Sequence, residues 1–282
     1  MLKGLSIMFL SYIFTSGLLA AQAQTTVVAE SFNLRYDTPN DGINAWPKRQ
    51  HMVLTHLQTL LPDVVGMQEV LAHQLEWLDH NLPDYAYIGV GRDDGLSKGE
   101  FVPLLYNKNQ LTKVAGGNFW LSETPAVAGS IGWQAQLPRV VSWGHFKKND
   151  KEFFVFNAHF SHVSDLARQK SAEFLMSYIP TIAHDKPVIL LGDLNTLDTE
   201  IAYKTLVKAS SSVLAFSDVA TKSEGKFVAT FNGYGHGEVK RIDYILTSKG
   251  LHSEDYHTYQ ITADGLYISD HFPISAVITL AE

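Results

Sequence analysis

The chain of 282 residues is long enough for one large α/β domain or two small ones, and its 45% hydrophobic content excludes a disordered chain. It has no cysteine, which excludes disulfides, thiolate metal sites and a cysteine nucleophile. The formal net charge of −7 disfavours nonspecific binding along duplex nucleic acid, because proteins that bind in this way usually carry a basic stripe.

The start of the chain predicts a cleavable export signal. Lys3 supplies a positive charge, an apolar run follows from Leu5 to about Ala20, and Ala21-Gln22-Ala23 offers a small-x-small cleavage site. The apolar run is short for a membrane-spanning helix, which favours cleavage over anchoring. We therefore expect residues 1–23 to be a signal peptide, and the mature protein to be periplasmic or extracellular without a transmembrane segment.

Residues 24–282 are predicted to form a single domain, since they contain no repeat, linker or break in composition. Short apolar runs bounded by turn-forming residues predict strands over 27–35, 63–69, 85–90, 101–107, 113–121, 140–147, 153–160, 187–193, 241–247 and 272–280. Helices are predicted from Trp46-Pro47 to Leu61, over 71–81, over 164–182 with Ser164 as N-cap, and after a cap at Asp198 or Thr199. This pattern indicates an α/β fold in which two β-sheets pack together with helices outside.

Polar side chains recur where the apolar strands end. Two pairs, Asn157 with His159 and Asp193 with Asn195, are two residues apart and so share a face of their strands. Binding groups gathered at strand ends are a common way to build a site on a rigid scaffold. The full set is Asn33, Glu69, Asn157, His159, Asp193, Asn195, Asp243, Asp270 and His271.

Each of these residues alone has an ordinary structural explanation. Glu69 could be a cap or a surface carboxylate, and GDLN at 192–195 could be a turn. Asp243 could pair with Arg241, and His159 could be a buried core histidine. The combination at six strand ends is harder to explain in this way. Carboxylate, amide and imidazole groups dominate it, and they suit a hard cation such as Mg²⁺, which prefers oxygen ligands.

These groups could together hydrolyse a phosphoester. A cation held by Glu69 would neutralise phosphate charge. Asp193 suits the task of orienting and deprotonating a water molecule, and Asn195 on the same face could donate to a phosphate oxygen. His271 could hold another non-bridging oxygen, with Asp243 as the expected orienter of its imidazole ring.

At this point the sequence resembles a known family, the endonuclease/exonuclease/phosphatase family of the DNase I-like superfamily. The resemblance spans residues 27 to 280, and its segments occur in the family's order. They are SFNLRY (31–36), MQEV (67–70), NAHFSH (157–162), GDLN (192–195), RIDYIL (241–246) and SDHFPI (269–274).

The resemblance implies a four-layer α/β sandwich with two packed mixed sheets flanked by helices and the site at one edge of the sheets. It also implies a cofactor, Mg²⁺ or Mn²⁺, and a role for each matching residue. These roles are metal binding by Glu69 with Asn33 close by and Asp270 as a further ligand, water activation by Asp193, phosphate binding by Asn195 and His159, and an Asp243–His271 pair.

Further segments are similar to a bacterial exported subgroup, among them AWPKR (45–49), GRDDG (91–95), GEFVPLLYNK (99–108) and LPRVVSWGHF (137–146). From them Tyr106 and Arg139 are expected to lie beside the site. Arg35, Arg49 and Arg92 are candidates for binding a substrate phosphate or carboxylate. For each of these three, a structural ion pair is an equally weighted alternative.

We therefore expect an exported Mg²⁺- or Mn²⁺-dependent hydrolase of phosphodiesters or phosphomonoesters. Nucleic acids, lipid head groups and small organic phosphates all remain open as substrates, with a small or single-stranded substrate favoured by the acidic charge. One alternative is a phosphate-binding protein that keeps the fold without turnover, although such a protein would be expected to lose Glu69, Asp193 or His271. Another is a zinc hydrolase using His159 and His162, which are three residues apart.

Overall fold

A computed structural model of the protein describes residues 24–207, 214–222 and 228–280. The predicted signal peptide, residues 1–23, lies outside the described residues. Within the described ranges, no helix combines the length and the apolar character needed to cross a membrane.

Two six-stranded mixed sheets form the centre of the molecule. The strands are β1 (Thr26–Asn33), β2 (Val64–Gln68), β3 (Tyr85–Ile88), β4 (Leu104–Asn107), β5 (Thr112–Trp120), β6 (Val140–Lys148), β7 (Lys151–His159), β8 (Val188–Asp193), β9 (Phe216–Asp218), β10 (Asp243–Ser248), β11 (His252–Thr258), β12 (Thr262–Ala263), β13 (Leu266–Tyr267) and β14 (Ile274–Thr279). The first sheet has the order β11-β14-β1-β2-β4-β3, and the second has the order β5-β6-β7-β8-β10-β9. Strands β12 and β13 form a separate hairpin.

Four helices accompany the sheets: α1 (Trp46–Leu60), α2 (Ala72–Asn81), α3 (Asp165–Ala183) and α4 (Ile201–Val207). The first three lie within one residue of their predicted boundaries. The predicted cap at Ser164 is confirmed, since its side chain accepts the backbone N–H of Ala167 at 3.1 Å. Pro47 stands in the first turn of α1, where its missing N–H leaves no hydrogen bond unmade.

Each sheet contains one parallel pair of strands joined by a helix. Helix α1 connects β1 to β2 in the first sheet, and α3 connects β7 to β8 in the second. Parallel strands need such a crossover, and the crossover brings their carboxyl ends to the same edge of the sheet. The two crossovers therefore place the carboxyl ends of β1 and β2, and of β7 and β8, where predicted site residues lie.

The buried side chains form three main layers of packing. One cluster lies between the sheets and includes Val64, Val155 and Leu191. A second packs the first sheet against α1 and α2, and a third packs the second sheet against α3 and α4. Neighbouring residues on a strand alternate between clusters, as Leu190 and Leu191 do, because both faces of each sheet are covered. The predicted four-layer α/β sandwich is thereby confirmed.

The two sheets approach most closely beside Asn157. A β-carbon at Gly66 would lie only 2.7 Å from Asn157 Oδ1, so only glycine fits there without a shift. The Asn157 amide donates to the carbonyls of Met67 and Pro103, at 2.7 and 2.9 Å, and accepts from Gln68 Nε2 at 2.7 Å. Asn157, which the sequence places among the polar strand-end residues, therefore ties the two sheets together.

The strand predictions need correction at one boundary, and they miss four strands, β9, β11, β12 and β13. The predicted strand over 101–107 begins only at Leu104, because Pro103 has no N–H to donate to a ladder. Phe101 instead forms isolated bridges to Val70 and Gly91. Strand β11 was not predicted, since its residues His252–Thr258 are mostly polar and lie at the exposed edge of the first sheet.

Candidate active site

The strand ends that carry most of the predicted site residues meet at one edge of both sheets. In the first sheet, β1 and β2 are parallel and Asn33 pairs with Gln68, so Glu69 follows directly beside Asn33 where these strands end. In the second sheet, β7 and β8 pair His159 with Asp193, and β10 pairs Asp243 with Asp193. The register within each sheet and the packing of the two sheets thus bring these five side chains together.

Asn33 joins the acidic ends of the two sheets. Its Nδ2 donates to Glu69 Oε1 at 3.1 Å and to Asp193 Oδ2 at 2.9 Å. Its Oδ1 accepts the backbone N–H of Arg35 at 3.0 Å, which fixes the orientation of the amide. The fully buried Asn33 therefore holds two carboxylates from different sheets within reach of one ligand.

Three non-glycine residues at this edge have left-handed backbone conformations. Arg35, Glu69 and Asn195 have φ angles of 60°, 60° and 47°, and each stands one or two residues beyond the end of a strand. Such conformations are uncommon for arginine and glutamate, though less so for asparagine, and the strain that they store clusters at functional sites. The local backbone therefore supports a functional role for this edge.

His271 and Asp243 form a buried pair. The imidazole Nδ1–H donates to Asp243 Oδ2 at 2.8 Å, and the other ring nitrogen lies 3.8 Å from Asp193 Oδ2. Burial alone lowers the pKa of His271, but the carboxylates of Asp243, Asp193 and Asp270 outweigh it and raise this pKa to about 10. His271 is therefore an imidazolium at neutral pH.

Asp193 lies between His159 and His271. Its Oδ1 accepts the backbone N–H of Asn195 at 2.9 Å, and its carboxyl is only 1% exposed. Burial, followed by repulsion from Asp243, raises the pKa of Asp193 to about 7, against the opposing effect of His271. A carboxyl that titrates near neutral pH can take a proton from water and release it again.

His159 lies on the other side of Asp193. Its Nε2 is 3.6 Å from Asp193 Oδ2, and its Nδ1 is 4.0 Å from Glu100 Oε2. Complete burial and the nearby cations of Arg139 and Arg92 hold the pKa of His159 well below its ordinary value. His159 is therefore neutral, in contrast to His271.

One group of side chains suits a metal ion. Ligand atoms of Glu69, His159 and Asp193 all lie within 4.8 Å of one another. Those of Asp193, Asp243 and His271 are equally close, but a protonated His271 has no lone pair to offer a metal. Carboxylate oxygens make up most of these donors, and Asn33 adds an amide close by, which fits a hard divalent cation. His162 belongs to neither group, since its Nδ1 accepts from Arg139 Nη2 at 2.9 Å, so the paired-histidine zinc site receives no support.

Asp270 lies at the rim of this cluster beside Arg35. Arg35 pairs with Asp41 at 3.0 Å and also lies 3.7 Å from Asp270 and 3.8 Å from Glu69. Burial, opposed by His271 and Arg35, raises the pKa of Asp270, and the Glu69 carboxylate adds to the rise. Arg35 thus offsets the negative charge of this rim and is held by Asp41.

The other predicted arginines have different surroundings. Arg92 pairs with Glu100 at 2.6 Å near His159. Arg139 is 5% exposed and stands directly before β6, with His162 as its hydrogen-bond partner. Arg49 is completely buried and donates to four backbone carbonyls rather than facing the cluster. Arg49 therefore has a structural role and is not placed to bind substrate.

Tyr106 does not lie beside the site. Its strand β4 runs antiparallel to β2, with Tyr106 opposite Val64, five residues before Glu69. At about 3.3 Å per residue, that register separates it from the strand end by about 16 Å. Its ring packs on Phe146 in the core between the sheets, at 5.1 Å between centroids. Tyr106 therefore lies too far from the cluster to bind a substrate there.

Three residues near the cluster were missed in the sequence. Glu100 is the carboxylate partner of Arg92 and a neighbour of His159. Asp41 holds Arg35 and also accepts from the hydroxyl of Tyr234 at 3.2 Å. Glu100 stands in a loop, and Asp41 and Tyr234 stand in short 3-10 helices, where neither an apolar period nor a strand end marks a residue.

The chain is similar to known proteins in sequence and in structure. A sequence model of the Endonuclease/Exonuclease/phosphatase family matches residues 31–271. An endonuclease/exonuclease/phosphatase of Bacteroides vulgatus shares 32% identity at a TM-score of 0.86, covering 91% of this chain and 100% of that chain. A mannosyl-6-phosphatase of Bacteroides thetaiotaomicron shares 34% identity at a TM-score of 0.81, covering 90% of this chain and 100% of that chain. An uncharacterized protein of Acanthamoeba polyphaga mimivirus is 26% identical over 255 residues, which cover 85% of this chain and 94% of the viral protein.

Proposed function

The chain belongs to the endonuclease/exonuclease/phosphatase family, and on that premise we propose that it is a divalent-metal-dependent phosphoester hydrolase acting on small organic phosphates. The observation that carries this proposal is the Asn33 amide, which joins Glu69 and Asp193 across the two sheets. A metal-binding carboxylate and a water-activating carboxylate must stand this close if both are to act on one phosphoryl group.

Glu69, with Asn33 and Asp270 beside it, would hold Mg²⁺ or Mn²⁺. The bound cation would neutralise phosphate charge and polarise a phosphoryl oxygen. Support for this assignment comes from the oxygen-rich donor set and from the positive φ of Glu69, which directs its side chain into the cluster.

Asp193 acts as the base. The water oxygen bonds to phosphorus while the ester P–O bond breaks, the water proton goes to Asp193, and the alcohol leaves with a proton from solvent. The backbone N–H of Asn195 holds Oδ1 of Asp193 and the Asn33 amide holds Oδ2, so the carboxylate is fixed in place and Oδ2 keeps a lone pair for the water proton. The raised pKa of Asp193, about 7, suits a group that accepts a proton at neutral pH.

The positive and neutral donors around Asp193 bind the phosphate. His271, kept protonated by Asp243, stabilises the charge that develops on a non-bridging oxygen. Asn195 and the neutral His159 donate to other phosphate oxygens. His271 therefore binds phosphate as an imidazolium and His159 as a neutral imidazole, because only His271 has a carboxylate in hydrogen-bond contact.

A small organic phosphate, such as a sugar phosphate, is the proposed substrate class. The acidic chain disfavours long polyanions, and one of the similar solved structures is a mannosyl-6-phosphatase. We further propose that the protein is exported and that residues 1–23 are removed, which fractionation and N-terminal sequencing of the mature protein would test.

The proposed activity is tested by phosphate release from a panel of esters with Mg²⁺, with Mn²⁺ and with EDTA. The panel contains sugar phosphates, nucleotides, short oligonucleotides and phosphorylated lipid head groups. We expect metal-dependent release, fastest from the sugar phosphates. Faster release from oligonucleotides would contradict the substrate class, and no release from any ester would favour a phosphate-binding protein without turnover.

A further inference from the structure

Arg139 differs from the other arginines of the chain in having no anionic partner. All six arginines lie within the described residues. Four pair with carboxylates and Arg49 is surrounded by carbonyls; the four are Arg35, Arg92, Arg168 and Arg241. Arg139 makes one side-chain hydrogen bond, to His162, while its Nε and Nη1 have no partner among the described residues.

The partner of Arg139 cannot neutralise it. A guanidinium only donates hydrogen bonds, so Nδ1 of His162 accepts, and His162 is neutral with its proton on Nε2. Arg139 is only 5% exposed. The carboxylates of Glu100, Asp193 and Glu69 attract Arg139 from a distance, but none of them forms an ion pair with it. A buried cation without a directly bonded anion is unfavourable, and a bound anionic ligand can supply one.

The sheet register brings this cation to the candidate active site. Arg139 immediately precedes β6, whose Val141 is paired with Ala158 of β7, and β7 ends at His159. His159 in turn is paired with Asp193 of β8. Arg139, His159 and Asp193 therefore stand on successive strands at one sheet edge, and neighbouring strands are about 4.8 Å apart.

We propose that Arg139, oriented by His162, binds the free terminal oxygens of a phosphomonoester and makes the enzyme a monoesterase. This inference rests on the proposed hydrolase function and narrows its substrate class. Nη2 carries two N–H groups and His162 takes one, so the other can donate beside the unpartnered Nε or Nη1 to two oxygens of one phosphate. A monoester dianion keeps three non-bridging oxygens, whereas a diester has two and carries one negative charge less. A second ester group would take the place of an oxygen that Arg139 would otherwise bind.

The first test compares p-nitrophenyl phosphate with methyl p-nitrophenyl phosphate, which share a leaving group and differ by one ester methyl. We expect wild-type kcat/KM to favour the monoester strongly. Arg139→Gln should lower kcat/KM for the monoester about 10- to 100-fold, the size expected for lost charged hydrogen bonds, and leave the diester nearly unchanged. Arg139→Lys should fall between, because lysine keeps the charge but not the planar fork.

Lys148→Gln is the matched control. Lys148 stands at the opposite end of β6 and pairs with Asp63 at 2.8 Å, so the variant removes a mostly buried cation away from the site. Its ratio of monoester to diester kcat/KM should equal that of wild type. Wild-type preference for the diester, or equal losses on both esters in Arg139→Gln and Arg139→Lys, would overturn the proposal.

The second test measures binding of inorganic phosphate by calorimetry in saturating Mg²⁺, which needs no turnover. Arg139→Gln should bind phosphate about 10-fold or more weakly than wild type, with Lys148→Gln unchanged. Equal affinity in folded wild type and Arg139→Gln would overturn the proposal even if hydrolysis is found. If neither ester is hydrolysed, the proposed function fails, and a weakened phosphate affinity in Arg139→Gln would still support the anion site.

Discussion

Asp243 holds His271 through a 2.8 Å hydrogen bond from Nδ1, and the opposite nitrogen of the same ring lies 3.8 Å from Asp193. One imidazole therefore stands between a carboxylate that orients it and a carboxylate proposed to activate water. The charge on His271 depends on this pair, since burial alone would lower its pKa.

Asp243→Asn should bring the pKa of His271 down from about 10 toward its ordinary value near 6.5. The imidazolium would then be lost at neutral pH, and we expect kcat/KM to fall about 100-fold or more. The alkaline limb of the pH–rate profile should move to lower pH, because His271 would lose its proton at lower pH. NMR titration of the histidines checks the pKa directly. An unchanged His271 titration in the variant would show that Asp243 does not control the pKa of His271. Asp150→Asn is the control, because the Asp150 side chain is fully exposed.

Asp193→Asn should alter how stability depends on pH in the metal-free protein. The pKa of Asp193 is raised from 3.8 to about 7, so the folded protein keeps a proton that the unfolded chain loses. Its contribution to stability is fully present below about pH 4 and is lost as pH rises through about 7. The free energy of unfolding of the variant, relative to wild type, should therefore increase across this window.

Urea unfolding in EDTA at several pH values measures this difference. The comparison between pH values matters more than the absolute stability of the variant, because the new amide also changes the contact with Asn33. If the free energies of unfolding of Asp193→Asn and wild type differ by the same amount from about pH 4 to about pH 7, then Asp193 is ionised normally in the folded protein.

Glu69→Gln should weaken metal binding, because it removes a ligand charge while keeping the size of the side chain. We expect the apparent affinity for Mn²⁺ to fall about 10- to 100-fold, by calorimetry and by the metal dependence of the rate. Glu76→Gln, on the exposed face of α2, is the control. Identical metal titrations for Glu69→Gln and wild type would remove Glu69 from the metal site.

Arg49→Lys should destabilise the fold. Arg49 donates to the carbonyls of Asn44, Leu34, Ile268 and Arg35, and a lysine cannot reach all four. The carbonyls left without a donor are expected to lower the free energy of unfolding by about 2–4 kcal/mol, measured by urea denaturation. A loss below about 0.5 kcal/mol would mean that water replaces the guanidinium without difficulty.

The fold could be predicted because most residues of the central strands are apolar, and turn-forming or polar residues bound these runs. Predictions failed where that pattern is missing. Strand β11 is polar and pairs only at the edge of the first sheet, so no apolar run marks it. Tyr106 stands in an apolar run near a family motif, and only the register with Val64 places it far from Glu69.

The candidate site could be predicted in part for the same reason. Asn33, Glu69, His159 and Asp193 stand at or next to the carboxyl ends of strands, and parallel pairing brings such ends together. Asp243 begins β10 and reaches the same edge because β10 is antiparallel to β8. The partners of the arginines depend instead on long-range packing: Glu100 is eight residues from Arg92, and His162 is 23 residues from Arg139. No periodicity in the sequence indicates which arginine is paired and which lacks an anion.

The central claim is that Asp193 activates water for metal-dependent cleavage of a phosphoester. The most direct measurement compares wild type with Asp193→Asn on p-nitrophenyl phosphate and bis-p-nitrophenyl phosphate, in Mg²⁺, Mn²⁺ and EDTA, with folding checked by circular dichroism. The wild-type rate with metal should exceed that of the variant by about 10²- to 10⁴-fold on at least one ester, and EDTA should abolish it. A wild-type rate no greater than that of folded Asp193→Asn would contradict the account.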